Sequence, residues 1–201
     1  MRRMTRFTRK IGSRPYRRII LIASEGRVTE PVYFQAVQSM AENVDIRCVT
    51  SSGRSAPPYI LKKIKKALNE LTTFSCKDSA WVVADKDRWE KEQLDTLYEW
   101  AEKAPNYGVA VSNPAFECWL LMHFEEKSPD SLAKCTERLR RYIPNYDKKF
   151  SSALITMEAI RAAHQRGKGR DNPPCERYPE IPGRSTVYRL IEDIFGWNQP
   201  Y

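Results

Sequence analysis

RRIILIASEGRVTEPVYF, residues Arg17 to Phe34, is the stretch on which the fold turns. Ile19, Ile20, Leu21 and Ile22 follow one another without a polar break, the pattern of a strand covered on both faces rather than one. The run stops at carboxylates, Glu25 and then Glu30. An echo lies at Ala80 to Trp89, AWVVADKDRW, where a second apolar run ends in Asp85 and Asp87. In open parallel α/β sheets, ligands collect where strands run out at their carboxyl ends, so acids placed there face a common crevice. Four negative charges brought together repel one another. A divalent cation relieves that repulsion, and an oxygen-only ligand set suits Mg²⁺ or Mn²⁺. The expectation is a metal-dependent site for cutting phosphodiesters, with Glu25, Asp85 and Asp87 as its catalytic acids and Glu30 as a further ligand.

Working outward, Thr29 is placed to cap a helix and Pro31 fits a first helical turn. The helix has Tyr33, Ala36, Val37 and Met40 on one side. Val44 to Thr50 alternates, which predicts a strand nearer the sheet edge with one wetter face, and Ser51 to Pro58 is rich in turn residues. From Tyr59, the spacing of Ile60, Leu61, Ile64, Ala67, Leu68 and Leu71 is helical, with Lys62, Lys63, Lys65 and Lys66 on the far side. Ala80 to Ala84 is a third strand, Glu90 to Ala104 a helix, and Tyr107 to Val111 a fourth strand. Asn113 then reads as an N-cap with Pro114 at the first helical position. Beyond it the pattern is helical, at Ser131 to Tyr142, Ser151 to Gln165 and Thr186 to Phe195. These elements predict an α/β fold, a mainly parallel four-stranded sheet flanked by helices, with a helical C-terminal section. The divisions are a basic arm over 1–16, the α/β domain over 17–125, and the helical section over 126–201, with a flexible basic loop over 166–185.

The formal net charge is +9 over 201 residues, and eight basic residues precede the first acid, Glu25. A polyanionic partner, RNA or DNA, accounts for that excess, although the first dozen residues also read as a solubilising arm. The arm lacks the apolar face of an interfacial helix. No apolar run is long enough for a membrane span, and the start has no secretory apolar core, so a cytoplasmic protein is expected. Five cysteines without any C-x-x-C spacing argue against a disulfide framework or a zinc cage.

Each candidate has a plainer alternative. Asp85 and Asp87 at a strand end also read as a helix cap, and Glu30 as a first-turn carboxylate complementing the helix dipole. Glu117 shares a helical face with Leu120, Leu121 and Phe124, where a buried carboxylate needs a cation or an arginine beside it. His123 reads either as a general base or as a packed core imidazole, and His164 as a surface residue. Candidates for holding substrate phosphate are Arg27, Arg88, Lys148, Lys168 and Arg184, with Lys149 and Arg170 beside them in sequence.

Glu25-Gly26 after the first strand, with Asp85-x-Asp87 after the third, resembles the Toprim domain of topoisomerases, primases and the overcoming-lysogenization-defect (OLD) nucleases. More closely, SEGRVTEPVYF, ADKDRW, SNPAFECWLLMHF, the YDK segment at Tyr146 and the closing RSTVYRLIEDI resemble the RloB-like family of phage-defence proteins, over nearly the whole chain after Arg17. That resemblance implies a Toprim-like fold with an added helical part, in an abortive-infection system with an ABC- or OLD-type ATPase as partner. It implies Glu25, Asp85 and Asp87 as metal-site acids, Glu30 and Glu117 as supporting ligands, and Lys148 as a phosphate contact. One departure stands out: the expected Asn-Pro-Ser-Thr before the last helix is Pro182-Gly183-Arg184-Ser185-Thr186 here. The expected activity is therefore hydrolysis of RNA, transfer RNA included, or of DNA. A non-catalytic nucleic-acid-binding or sensor subunit of an ATPase complex is the alternative, and self-association is left open.

Overall fold

The computed structural model describes residues 17–49, 56–87, 89–127 and 129–197. The basic arm, most of the turn-rich loop after the second strand, and Arg88 lie outside the described residues. Within them the chain forms a five-stranded sheet and seven α-helices. The strands are β1 (Arg18–Ser24), β2 (Val44–Val49), β3 (Ser79–Asp85), β4 (Tyr107–Asn113) and β5 (Arg184–Ser185). The helices are α1 (Thr29–Gln38), α2 (Pro57–Glu70), α3 (Lys91–Ala101), α4 (Phe116–Leu121), α5 (Leu132–Leu139), α6 (Met157–Arg170) and α7 (Val187–Phe195).

The strand order is β2-β1-β3-β4-β5, parallel except for the short antiparallel β5. The chain leaves β1 toward β2 and then returns past β1 to β3, so the direction of winding reverses between β1 and β3. At such a switch point the two connections diverge to opposite faces and leave a crevice at the carboxyl edge. Leu21, Ala23, Val82, Ala84, Val109 and Val111 pack under α2 and α3. Ile20, Ile22, Val83 and Ala110 pack under α1, α4 and the helices after it. A strand buried on both faces needs the unbroken run that β1 has; each of its buried isoleucine and leucine side chains contributes roughly 1.5–3 kcal/mol. β2 is an edge strand, and its sequence alternates Val44, Ile46 and Cys48 with Asp45 and Arg47.

Elsewhere local chemistry accounts for the ends of elements. Glu90 and Gln93 close a reciprocal capping box on α3, the Thr156 hydroxyl accepts from Ala159 N–H at the start of α6, and Gly196, with φ 68°, ends α7 in the left-handed region.

Three local expectations need correction. Thr29 does not cap α1; it is the first helical residue, and its hydroxyl donates to the carbonyl of Lys148, 3.0 Å away. Asn113 ends β4 instead of capping α4, and its side-chain amide donates to the carbonyls of Pro179 and Glu180. The sheet has a fifth strand as well, because Arg184 and Ser185 pair with Asn113 and Ser112. Residues 166–170 of the basic segment read from composition as a loop are the end of α6, and the residues after them make several hydrogen bonds and ion pairs. Asp171 accepts from Cys175 N–H, Tyr98 donates to the carbonyl of Arg177, and the Arg177 guanidinium reaches Asp95 and Glu102. No helix among the described residues is long and apolar enough to cross a membrane.

Candidate functional site

The carboxyl edge at the switch point gathers acids from four elements. Glu25 follows β1, and its backbone N–H still donates to Val83 of β3 at 3.1 Å, so the two strand ends are locked side by side. Glu25 Oε2 lies 3.4 Å from the Asp85 N–H and accepts from the indole Nε1 of Trp89 at 2.8 Å. Asp85, the last residue of β3, accepts from Phe116 N–H at 2.9 Å and thereby caps α4. Glu30, in the first turn of α1, accepts from Gly26 N–H at 2.8 Å. Glu117, in the first turn of α4, accepts from the Tyr146 hydroxyl at 3.1 Å. Asp87 is exposed just beyond, its own N–H donating to the carbonyl of Pro114.

Glu25, Glu30 and Glu117 are 9%, 4% and 6% exposed, and their charges act on one another. Burial, then the charges of Glu30, Glu25, Glu117 and Asp87, push the Asp85 carboxyl well above its ordinary range. Burial raises Glu30 to about 7; hydrogen bonds from backbone N–H groups hold it down and the charges of Glu117 and Glu25 push it up further. That is the signature of carboxylates confined together. Among the described residues no three of these side chains are closed into a ready coordination cage; each of Glu25, Glu30, Asp85 and Glu117 is turned onto a protein donor. The donor set itself is all oxygen and all carboxylate, which fits a hard divalent cation and no softer metal.

The Gly26 position has a definite cause. A Cβ built there would collide with the Glu30 carboxylate, so the glycine leaves room for Glu30 and not for a ligand. His123 is a core residue: Nδ1 faces the carbonyls of Trp119 and Leu120, the ring packs edge-on against Tyr33 and Trp119, and burial depresses its pKa to about 4. His164 is half-buried, bonded through Nε2 to Glu192 at 2.9 Å, and not free on the surface.

The candidate phosphate contacts divide. Lys148 is exposed on a turn that Thr29 fastens beside Glu30, with Lys149 next to it, and Arg27 is exposed immediately after Glu25 and Gly26. Arg184 is half-buried and pairs with Asn113, one residue beyond the Ser112 that pairs with Asp85. Lys168 is elsewhere: its ammonium is 2.7 Å from Glu192, and it lines a cavity with Arg18, Asp78 and Asp193 at the amino edge of the sheet. Arg170 donates to the carbonyl of Gly183. Trp89 and Tyr146, which hold Glu25 and Glu117, went unassigned in the sequence. Both stand inside the quoted segments ADKDRW and YDK, but nothing local tells an indole or phenol that its partner lies 64 or 29 positions away.

A family model described as RloB-like protein matches residues 20–194. No curated protein and no solved structure matches the chain.

Proposed function

The chain belongs to the RloB-like family, and from that premise we propose that it is a Mg²⁺- or Mn²⁺-dependent nuclease with a Toprim-like site, hydrolysing phosphodiesters of RNA, transfer RNA included, or of DNA. The observation that carries this reading is the meeting of acids from β1, α1, β3 and α4 at one switch point, with Asp85 and Glu30 raised in pKa by burial and by one another's charge. Glu25, Asp85 and Asp87 would hold the cation, with Glu30 and Glu117 supporting them. Such a cation, when bound, supplies the charge that steadies the attacking and departing oxygens of an in-line displacement. The chain's own residues do the rest. Trp89 and the Asp85 N–H orient Glu25, Gly26 N–H orients Glu30, and Arg27, Lys148 and Arg184 stand where a phosphate backbone crossing the crevice meets positive charge. In keeping with the family, the activity belongs to antiphage defence by abortive infection, held in check by an ATPase partner of ABC or OLD type in the cytoplasm.

One observation favours a second reading, a non-catalytic nucleic-acid-binding or sensor subunit: the Asp85 carboxylate already has a structural duty as the cap of α4. Purified protein incubated with transfer RNA, single-stranded DNA and duplex DNA, with and without Mn²⁺, separates the two. The nuclease reading expects Mn²⁺-dependent cleavage of at least one substrate by wild type and none by Glu25→Gln. Binding without cleavage in every condition, unchanged in Glu25→Gln, favours the adaptor.

A further inference from the structure

The turn between α5 and the short 3₁₀ helix at Ser152–Leu154 is built around two left-handed residues, Asn145 (φ 59°) and Lys148 (φ 82°). Asparagine tolerates that region and lysine does so rarely, so a strongly anchored backbone is implied at Lys148. The anchors are visible. Tyr146, 1% exposed, sends its hydroxyl to Glu117 Oε1 at 3.1 Å. The carbonyl of Lys148 accepts from Thr29 Oγ1 at 3.0 Å. The turn is thus fastened to α4 through one acid of the site and to α1 beside another, since Thr29 precedes Glu30.

Thr29 is the informative partner. Its hydroxyl has left the capping role that its sequence position suggests and is committed to a turn 119 residues away, a local rule broken in favour of a distant contact. The Tyr146 phenol is likewise suited to one task. A neutral donor given to a buried carboxylate fixes its orientation without neutralising it. An arginine in the same place would have cancelled the charge.

We infer that Tyr146 is a positioning residue for the cation site: its hydroxyl holds the Glu117 carboxylate among Glu25, Glu30 and Asp85, and makes the 145–149 turn part of that site. The inference rests on the divalent-cation reading above. Groups that orient a metal ligand from behind usually weaken binding about 10- to 100-fold when removed.

The test uses the full chain, stripped of metal by chelation and titrated with Mn²⁺ alone, with free Mn²⁺ counted by electron paramagnetic resonance. Tyr146→Phe keeps the ring and deletes the hydroxyl. It is expected to weaken Mn²⁺ binding about 10-fold or more, and in a Glu117→Ala background, where the hydroxyl has no acceptor left to hold, to cause no further loss. A folded Tyr146→Phe that binds Mn²⁺ as tightly as wild type overturns the inference, and so do independent, additive losses in the double variant. Should Tyr146→Phe not fold, Thr29→Val releases the other anchor of the turn, with about fivefold weaker binding expected and unchanged binding overturning the inference. A wild type that binds no Mn²⁺ at all defeats the cation reading and this inference together. A wild type that binds, beside a variant that binds equally, defeats this inference alone.

Discussion

At the amino edge of the sheet Asp193 takes the Arg18 guanidinium, the Ser79 hydroxyl and the Trp81 indole N–H, and Asp171 takes Arg189, the Tyr188 hydroxyl and Cys175 N–H. At the carboxyl edge Glu30, Asp85 and Glu117 accept from neutral N–H and O–H groups while acting on one another as like charges. The pKa directions diverge accordingly. Burial pushes Asp171 up, but hydrogen bonds from Cys175, Tyr188 and Arg189 outweigh it and hold the group below its ordinary value, whereas Asp85 and Glu30 are raised. Among the described residues, Asp171 and Asp193 are compensated by a guanidinium in place, whereas Glu30 and Asp85 are held by neutral donors and raise one another's pKa.

Four experiments test that contrast. The largest effect is expected from Glu25→Gln, which keeps the acceptor for Trp89 and removes the charge. Cleavage of labelled transfer RNA or single-stranded DNA with Mn²⁺ should fall about 10³-fold or more, since a catalytic cation contributes several kcal/mol. Asp193→Asn, at the other edge, should leave the rate per folded molecule unchanged. Equal losses in both would erase the distinction.

Next in size, urea unfolding of metal-free protein should show Asp171→Asn destabilised by about 2–3 kcal/mol, because a buried, paired charge is removed and Arg189 is left behind. Asp85→Asn should instead match wild type or exceed it by about 1 kcal/mol, since one of several repelling charges is gone. A large destabilisation by Asp85→Asn would mean that its capping of α4 outweighs the repulsion.

pH sharpens the same point. Glu30 has a folded pKa raised to about 7 from 4.5, so the folded state binds more protons than the unfolded one between those values. Its contribution to stability is full below about pH 4.5 and is lost as pH rises toward 7. His123 works oppositely: depressed to about 4 from 6.5, it favours unfolding as pH falls through that window. The two contributions offset each other in wild type. Glu30→Gln removes one, so metal-free Glu30→Gln should gain on wild type by up to about 3 kcal/mol between pH 4.5 and 7. No pH-dependent difference between the two proteins would contradict the raised carboxyl.

The smallest effect concerns substrate contacts. Lys148→Ala should weaken nucleic-acid binding several-fold and reduce the slope of log affinity against log salt by about 1. Lys168→Ala, engaged with Glu192 at the amino edge, should alter neither.

The main sheet was legible because its signals are local and strong. β1 announces itself by four consecutive apolar residues, β2 by alternation, and α2 and α7 by stripes at helical spacing. β5 was not, since two residues have no period to read, and its pairing depends on Asn113, which itself looked like a helix cap. Thr29 and Asn113 show the same failure: cap chemistry can be read from sequence, but a distant carbonyl that outcompetes the cap cannot. The candidate acids at the strand ends were readable from where the apolar runs stop. Their holders, Trp89 and Tyr146, were not, because the contacts exist only once the chain has closed.

The account stands or falls on whether the carboxyl-edge acids bind a divalent cation. Thermal unfolding of chelator-stripped protein, repeated with increasing Mn²⁺, measures this directly in wild type, Asp85→Asn and Asp171→Asn. The account expects the melting temperature of wild type to climb with Mn²⁺, by the equivalent of about 2.7 kcal/mol at a hundredfold excess over the dissociation constant. It expects the same rise in Asp171→Asn from its lower starting point, and none in Asp85→Asn. A wild type whose melting temperature is unmoved by millimolar Mn²⁺, or an Asp85→Asn that rises in parallel with it, would contradict the account.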